Sequence, residues 1–222
     1  MEINLYQLAD SAFPVGGFVY SMGMESAIKS KVLTNEEELT RYLKTYVDQV
    51  LSFEFPFLNA AYRSYSSKEE WGNLYTAYHA MLMNPLLEKS SLVLGKNWLN
   101  IIENLYQEVD VKELRAELKR KGLLFHFTLV FGALLAGIGA SLAQVQELFL
   151  FAALRDQINA LTRLGVVGPM GGQTMLFQLL KYAKDSAENY IDKSYEEARK
   201  SAYIMEILQL NHNTIYSKLF QN

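Results

Sequence analysis

Apolar residues recur at spacings of three and four positions along most of this chain, which is the period of an amphipathic α-helix. One stripe begins near Asn35 and is formed by Leu39, Tyr42, Leu43, Tyr46, Val47, Val50 and Leu51. The strict alternation that favours β-strands is hardly seen. The pattern therefore predicts an all-α protein.

Helix start signals divide this pattern into segments. A capping side-chain oxygen followed three residues later by an acid can satisfy the backbone of a first turn. This spacing occurs at Thr34–Glu37, Ser67–Glu70, Asp110–Glu113 and Ser194–Glu197, and Asn84 with Pro85 gives a fifth start. Beyond the helix that begins near residue 35, we predict helices at about 69–83, 85–106, 111–121, 123–140, 142–164, 171–183 and 195–210.

The segment 123–143 contains no charged residue and is long enough to cross a bilayer. It nevertheless includes the polar residues His126, Thr128 and Ser141, together with three glycines that favour close packing against other helices. No second segment resembles it, and no aromatic or basic belt flanks both ends. We therefore expect a central apolar helix within a single-domain multi-helix bundle that spans residues 1–222, and no membrane contact.

Composition narrows the class of protein. Half of the 222 residues are apolar, which is enough for one sizeable core. The 21 Lys and Arg residues do not exceed the 24 Asp and Glu residues, so nucleic acid is not an expected partner. The chain starts at Met1 without the basic and apolar regions of a secretory signal, and it has no cysteine. We expect a cytoplasmic protein.

The most unusual segment is 5–28, which reads LYQLADSAFPVGGFVYSMGMESAI. Pro14 and the glycine pair that begins at Gly16 interrupt its helical pattern and predict a sharp turn. Apolar side chains surround this turn, and Phe18 and Tyr20 follow directly after it. Such a turn is either a surface for another protein or a buried connection between helices of one core.

The C-terminal segment, residues 211–222, reads NHNTIYSKLFQN. After a polar break it carries four apolar side chains, those of Ile215, Tyr216, Leu219 and Phe220. An apolar tail of this kind is either a docking segment or a frayed terminus.

Metal ligands do not form a recognisable site in the sequence. The three histidines, His79, His126 and His212, are far apart and lack the short spacing of metal-binding helices. We expect His126 to be a hydrogen-bonded core residue. His212 could bind a metal only as a symmetric pair across a dimer. No metal and no other cofactor is predicted within one chain.

A second glycine-rich stretch, residues 165–174, leads into a predicted helix and invites comparison with a phosphate-binding loop. A P-loop requires lysine where this chain has glutamine, and no buried strand precedes the stretch. We therefore predict a structural bend, formed by Gly165, Gly168, Pro169, Gly172 and Gln173.

Catalytic groups are not evident either. No serine lies in a Gly-x-Ser-x-Gly motif, and clustered acids fall on first turns of helices, where they favour the helix dipole. Arg155, Asp156 and Arg163 are interpreted as ion-pair or interface groups. The sequence favours a protein that is not an enzyme; the alternative is a helical enzyme of unknown class with a pocket around His126, near the central helix.

Three segments together resemble the UreF family of urease accessory proteins. In the segment LYQLADSAFPVGGFVYSMGMES the matching residues are Pro14, Gly16, Phe18, Ser21, Gly23 and Glu25. The segment RDQINALTRLGVVGPMGGQTML is similar to the penultimate helix and glycine-rich bend of that family. The tail matches a terminal pattern at His212, Tyr216, Ser217, Leu219 and Phe220. The resemblance thus extends from Leu5 to Phe220.

The resemblance implies an all-α accessory protein that forms a homodimer. Such a protein joins a UreD-type partner, called UreH in some systems, and the GTPase UreG. This assembly delivers nickel to apo-urease, and the UreF-like member couples the GTPase cycle to metal insertion. The resemblance therefore implies a scaffold for urease maturation that has no catalytic residue or cofactor of its own.

The resemblance also implies a partner-binding set, which consists of Pro14, Gly16, Phe18, Tyr20, Ser21, Glu25, His212, Tyr216, Lys218, Leu219 and Phe220. Phe18 and Tyr20 would lie on a partner surface, and residues 216–220 would become ordered on docking to the UreD-type protein. Lys218 replaces the arginine of the family pattern and lacks its planar fork, and Asn213 replaces an acid.

Overall fold

A computed structural model describes residues 4–107 and 109–221 of the chain. Within those residues the regular structure is helical and no strand occurs, so the prediction of an all-α fold is confirmed. The α-helices are α1 Asn4–Leu8, α2 Met24–Lys29, α3 Glu36–Gln49, α4 Phe55–Arg63, α5 Trp71–Met81, α6 Pro85–Leu105, α7 Val111–Arg120, α8 Phe127–Ile138, α9 Leu142–Arg163, α10 Pro169–Ala187 and α11 Tyr203–Leu210. The first three residues, with which the argument against a secretory signal begins, lie outside the described part.

The central apolar helix is α8, which lies between α4 and α6. All eight residues from Thr128 to Leu135 are buried. Two glycines permit the close approach, because a Cβ on Gly132 would lie 2.6 Å from the Leu58 carbonyl oxygen and a Cβ on Gly95 would lie 1.9 Å from the Phe125 carbonyl oxygen. In the described part of the chain, no helix combines the length and apolar character needed to cross a membrane.

Helices α3 and α4 form one continuous rod through a π-helical segment, Val50–Glu54. Pro56 follows this segment and lacks the N–H that a regular helix would direct at the Ser52 carbonyl oxygen. That oxygen instead accepts a hydrogen bond from the Arg199 N–H at 3.0 Å. A distant segment of the chain therefore provides the donor that the helix itself lacks at Ser52.

Two of the predicted helix starts are confirmed. The Asn84 side chain accepts from the Leu86 N–H and is followed by Pro85, and the Asp110 side chain accepts from the Glu113 N–H. The start predicted at Thr34 is wrong by one residue, because Asn35 caps α3. The Glu38 carboxylate then returns to Thr34.

The other two predicted starts do not begin long helices. Helix α5 begins at Trp71 without a side-chain cap, so the start at Ser67 is wrong. Ser194 does form a capping box, but it opens only the 3-10 turn Tyr195–Glu197. The next residues do not continue as a helix, because the N–H groups of residues 201 and 202 donate to the Gln49 side chain. The helix predicted at 195–210 is therefore reduced to α11.

Candidate partner-binding site at the junction of the chain ends

The two ends of the chain meet on one side of the bundle. The Gln221 N–H donates to the Val19 carbonyl oxygen at 2.8 Å, and Lys29 on α2 donates to the Ser217 carbonyl oxygen. The tail is therefore packed against the N-terminal turn. We call this contact region the terminal junction and define it as residues 13–25 together with residues 212–221.

The N-terminal turn is held in place by neighbouring helices. Gly16 adopts a left-handed conformation with φ of +95°, which glycine tolerates without strain. The Val15 carbonyl oxygen accepts from the Asn97 side chain of α6 at 2.9 Å. Gly17 lies so close to α9 that a Cβ at this position would be 2.5 Å from the Asp156 carboxylate. The turn is a fixed part of the fold.

Glu25 is the centre of the junction, because its buried carboxylate accepts from four donors. The donors are Lys29 Nζ at 2.8 Å, His212 Nε2 at 2.9 Å, the Leu219 N–H at 2.7 Å and the Phe220 N–H at 3.2 Å. Burial alone would raise the pKa of Glu25. The hydrogen bonds from Lys29, Leu219, His212 and Phe220 outweigh burial and lower this pKa to about 2. The charged carboxylate therefore fixes the tail.

Arg163, at the end of α9, contacts both segments of the junction. Its guanidinium carbon lies 4.3 Å from the ring centre of Phe220 and 5.9 Å from that of Phe18. The same guanidinium group donates to the Phe18 carbonyl oxygen. A planar cation between two rings combines a cation–π contact with apolar contact area. Arg163 thus links both chain ends to α9.

The predicted partner-binding residues are divided between the inside and the outside of this junction. The buried members are Tyr20, Ser21, Glu25, His212 and Phe220. Exposed members are Pro14, Phe18, Tyr216, Lys218 and Leu219, whereas Gly16 is half-buried. One part of the turn is thus packed against its own chain, as in a buried connection, and another part is exposed.

Three exposed side chains of the junction are large and apolar or aromatic. Phe18 is 51% exposed, Leu219 is 48% exposed and Tyr216 is fully exposed. Phe18 and Leu219 are held by backbone contacts to Arg163 and Glu25 respectively. We call these three residues the junction patch. Exposed apolar side chains on a backbone that is held in place, as at Phe18 and Leu219, are typical of a protein-binding surface.

The predicted glycine-rich bend lies between α9 and α10. Gly165 has a φ of +72°, Gly168 precedes α10, and Pro169 occupies its first position. Gly172 is buried, and a Cβ there would lie 3.1 Å from Ile158. Gln173 is the fifth residue of α10 and is exposed. These residues form a helix connection at the site of the predicted bend.

Sequence reasoning did not identify the supports of the junction beyond Arg155 and Arg163. Lys29 follows Glu25 by four residues on one helix, which is the usual spacing of an ion pair and could have indicated the contact. The side chain of Asn97 carries no comparable signal, since its partner Val15 is 82 residues away. Arg155 pairs with Asp156 at 2.8 Å and also donates to the Ala9 carbonyl oxygen.

A cavity of about 200 Å³ extends from the junction to the first turn of α8. Phe18 and Tyr20 line one end, and Glu54 and Thr128 line the other. Burial raises the pKa of Glu54, whose carboxylate accepts from Thr128 and from the Tyr78 hydroxyl. His126 is not among the lining residues, so this cavity is not the pocket predicted around His126.

Groups of three or more potential metal ligands are absent from the described residues. Across 4–107 and 109–221, no three His, Asp or Glu side chains are grouped so that they could hold a metal ion. His212, the histidine considered for a shared site across a dimer, is buried and bonded to Glu25.

Comparison with known families gives a match to the model of the UreF family over residues 33–180. This range covers the helical bundle from before α3 into α10. The match lies between the two segments that form the terminal junction.

Full-length relatives extend the similarity to both ends. Urease accessory protein F of Arabidopsis thaliana is 31% identical over 222 residues, which cover 99% of this chain and 92% of that protein. Urease accessory protein F of Oryza sativa subsp. indica is 30% identical, with 97% and 83% of the two chains covered. The bacterial urease accessory protein UreF of Sporosarcina pasteurii is 24% identical, with 89% and 99% covered.

Proposed function

This chain belongs to the UreF family of urease accessory proteins and thus has a role in urease maturation, and we propose that it acts there as a non-catalytic scaffold. In this proposal the chain, as a homodimer, joins a UreD-type (UreH-type) protein to the GTPase UreG. The assembled complex then promotes GTP-dependent nickel insertion into apo-urease. The chain contributes binding surfaces and influences the GTPase cycle of its partner.

The observation that carries this proposal is the junction patch. Phe18, Tyr216 and Leu219 expose apolar and aromatic surface, which favours association with a complementary protein. The patch is supported from below by the buried Glu25 and Phe220. We propose that the UreD-type partner docks here, with the buried members of the predicted set acting as supports of the surface.

The state of the tail before docking affects the binding free energy. The resemblance implied that residues 216–220 become ordered on docking, whereas two of their N–H groups are already bonded to Glu25. A segment that is held in advance loses less conformational entropy on association. We therefore propose that the partner binds a surface that is largely preformed.

The test uses purified chain mixed with the UreD-type and UreG proteins of the same genome. Chromatography with light scattering should show a dimer that shifts to a larger species containing all three proteins. Leu219→Ala should weaken this complex at least about 10-fold, because truncation of an interface anchor costs more than about 1.4 kcal/mol.

Leu105→Ala is the matched control for this experiment. Leu105 is 47% exposed, as much as Leu219, and lies at the end of α6. It is eight residues, or about 12 Å, beyond the Asn97 side chain that holds the N-terminal turn. Equal loss of complex in both variants, or a wild-type chain that ignores both partners, would contradict the proposal.

The cavity beside α8 favours the alternative function, a helical enzyme of unknown class. A buried carboxyl group with a raised pKa, such as that of Glu54, is common in active sites and also in structural networks. Under this alternative, native mass spectrometry of the pure chain would detect a bound small molecule that Glu54→Gln releases. A ligand-free chain that still assembles with its partners would favour the scaffold.

A further inference from the structure

Two histidines that are 47 residues apart in sequence meet at the edge of the bundle. His79 lies on α5, and His126 immediately precedes α8. The distance from His79 Nδ1 to His126 Nε2 is 3.2 Å, and the ring centres are 5.3 Å apart. The His126 side chain is buried, whereas His79 is exposed. The pair is therefore reachable from solvent on the side of His79.

The second nitrogen of His126 is oriented by Ser91. The Ser91 hydroxyl oxygen accepts from the Phe127 N–H at 3.1 Å and lies 3.3 Å from His126 Nδ1. A proton on Nδ1 can be donated to this oxygen, and the lone pair of Nε2 then faces His79. Imidazole ligands of metals commonly donate their other N–H to an oxygen in this manner, which fixes the ring and its tautomer.

The charge state of His126 suits a ligand. Burial, with a smaller contribution from His79, lowers the pKa of His126 to about 4. The ring is therefore neutral near pH 7, and the neutral form is the one that binds metals. On another side His126 contacts the ring of Tyr78, at 5.2 Å between centres. The Tyr78 hydroxyl is bonded to Glu54 and is not available to the pair.

We propose that His79 Nδ1 and His126 Nε2 form a two-histidine binding site for a borderline divalent transition-metal ion such as Zn²⁺. The ion replaces the hydrogen bond between the rings. The proton of His79 moves from Nδ1 to Nε2 through exchange with water, so two neutral rings bind and no net proton is released. Water completes the coordination shell, since the described residues offer no third grouped ligand.

The separation of the two nitrogens fits this chemistry. With metal–nitrogen bonds of about 2.1 Å, a nitrogen separation of 3.2 Å corresponds to an angle of about 100° at the metal, between octahedral and tetrahedral values. Because Ser91 holds the His126 ring, it is rotation of the exposed His79 ring that would bring the second lone pair onto the ion. Two imidazoles select Zn²⁺, Ni²⁺ or Cu²⁺ over Ca²⁺ and Mg²⁺, which prefer oxygen. This inference does not rest on the proposed scaffold function.

The test is a titration of the full chain with Zn²⁺, followed by long-range ¹H–¹⁵N correlation of the histidine rings. The chain has three histidines, so each ring can be assigned and His212 serves as an internal control. We expect the His79 Nδ1 and His126 Nε2 resonances to shift together and to saturate at one equivalent. The resonances of His212 should stay in place, and Ca²⁺ should leave all three rings unchanged.

His79→Asn separates metal binding from the hydrogen bond. The asparagine amide can donate to His126 Nε2 as His79 Nδ1–H does, but it is a poor ligand for Zn²⁺. The variant should keep the fold and lose at least about 10-fold in Zn²⁺ affinity. The proposal is overturned if millimolar Zn²⁺ moves neither ring, if only His79 responds, or if the variant binds as tightly as the wild type.

Discussion

The terminal junction and the layer formed by α4, α6 and α8 both contain buried side chains, but different interactions hold the two regions together. In the helix layer, apolar side chains and glycines bring backbones into contact, as at Gly132 and Leu58. In the junction, one carboxylate, that of Glu25, accepts from four donors. Apolar packing spreads stability over many contacts, whereas a charged cluster concentrates it in one group. We therefore expect that the junction can be altered with the bundle still folded.

Gly95→Ala disrupts the packing of the helix layer and should have the largest effect on stability. The new methyl group would lie 1.9 Å from the Phe125 carbonyl oxygen, so α6 and the segment before α8 must separate. We expect the free energy of unfolding to fall by about 3 kcal/mol. Urea unfolding followed by circular dichroism measures this change.

Gly72→Ala is the control for that change. Gly72 lies in α5, and a Cβ there meets nothing within 4 Å. Alanine should stabilise the helix by about 0.5–1 kcal/mol. If both substitutions had the same effect, close packing at Gly95 would not be what stabilises the layer.

Glu25→Gln weakens the hydrogen bonds of the terminal junction and should destabilise only that region. Glutamine lacks the negative charge that holds Lys29, and its NH2 group cannot accept one of the two backbone N–H groups that the carboxylate oxygens bind. We expect the junction to lose about 2 kcal/mol, which corresponds to roughly 30-fold faster hydrogen exchange at Leu219 and Phe220. Exchange in α8 should be unchanged. Glu36→Gln, on the exposed first turn of α3, is the control; loss of protection throughout the bundle would show that the two regions are not separable.

The same carboxylate predicts a dependence on pH. The pKa of Glu25 is lowered from 4.5 to about 2 in the folded chain. Its contribution is therefore fully present above pH 4.5 and is lost as the pH falls toward 2. Exchange at Leu219, corrected for the intrinsic rate at each pH, should accelerate across this interval in the wild type. The Glu25→Gln variant should lack this part of the pH dependence.

Arg163→Lys should produce the smallest of these effects. Lysine keeps the positive charge but lacks the planar group that lies against Phe18 and Phe220. We expect the junction to lose about 0.5–1 kcal/mol. Exchange at Gln221, whose N–H bonds to Val19, reports this loss. Unchanged exchange would indicate that the charge of Arg163 matters and its planar shape does not.

Helix prediction succeeded where the decisive interactions are local. The stripe from Leu39 to Leu51 and the caps at Asn84 and Asp110 depend on residues within one or two turns, and α3, α6 and α7 follow these signals. The capping box at Ser194 is equally strong in sequence, yet only a short turn follows it. Distant acceptors at Gln49 and Ser52 bind the next N–H groups, and no local pattern reveals them.

Part of the candidate site was also predictable. The segments around Pro14 and Tyr216 were singled out because apolar residues surround a turn and a chain end. Their contact with each other was not predicted, since Glu25 and Leu219 are 194 residues apart. The sequence also did not predict which side chains of the tail are exposed. Leu219 and Phe220 are adjacent and similar in polarity, but only Phe220 is buried, beneath Arg163.

The all-α class, the central apolar helix and membership in the UreF family can be predicted from the sequence, because periodicity, apolar runs and motifs are properties of neighbouring residues. Packing between distant segments instead sets the contact of Glu25 with the tail, the exposure of Phe18, Tyr216 and Leu219, and the contact between His79 and His126. These arrangements depend on how helices pack against one another. Close packing and buried charges select a single arrangement from the many that helix periodicity alone would allow.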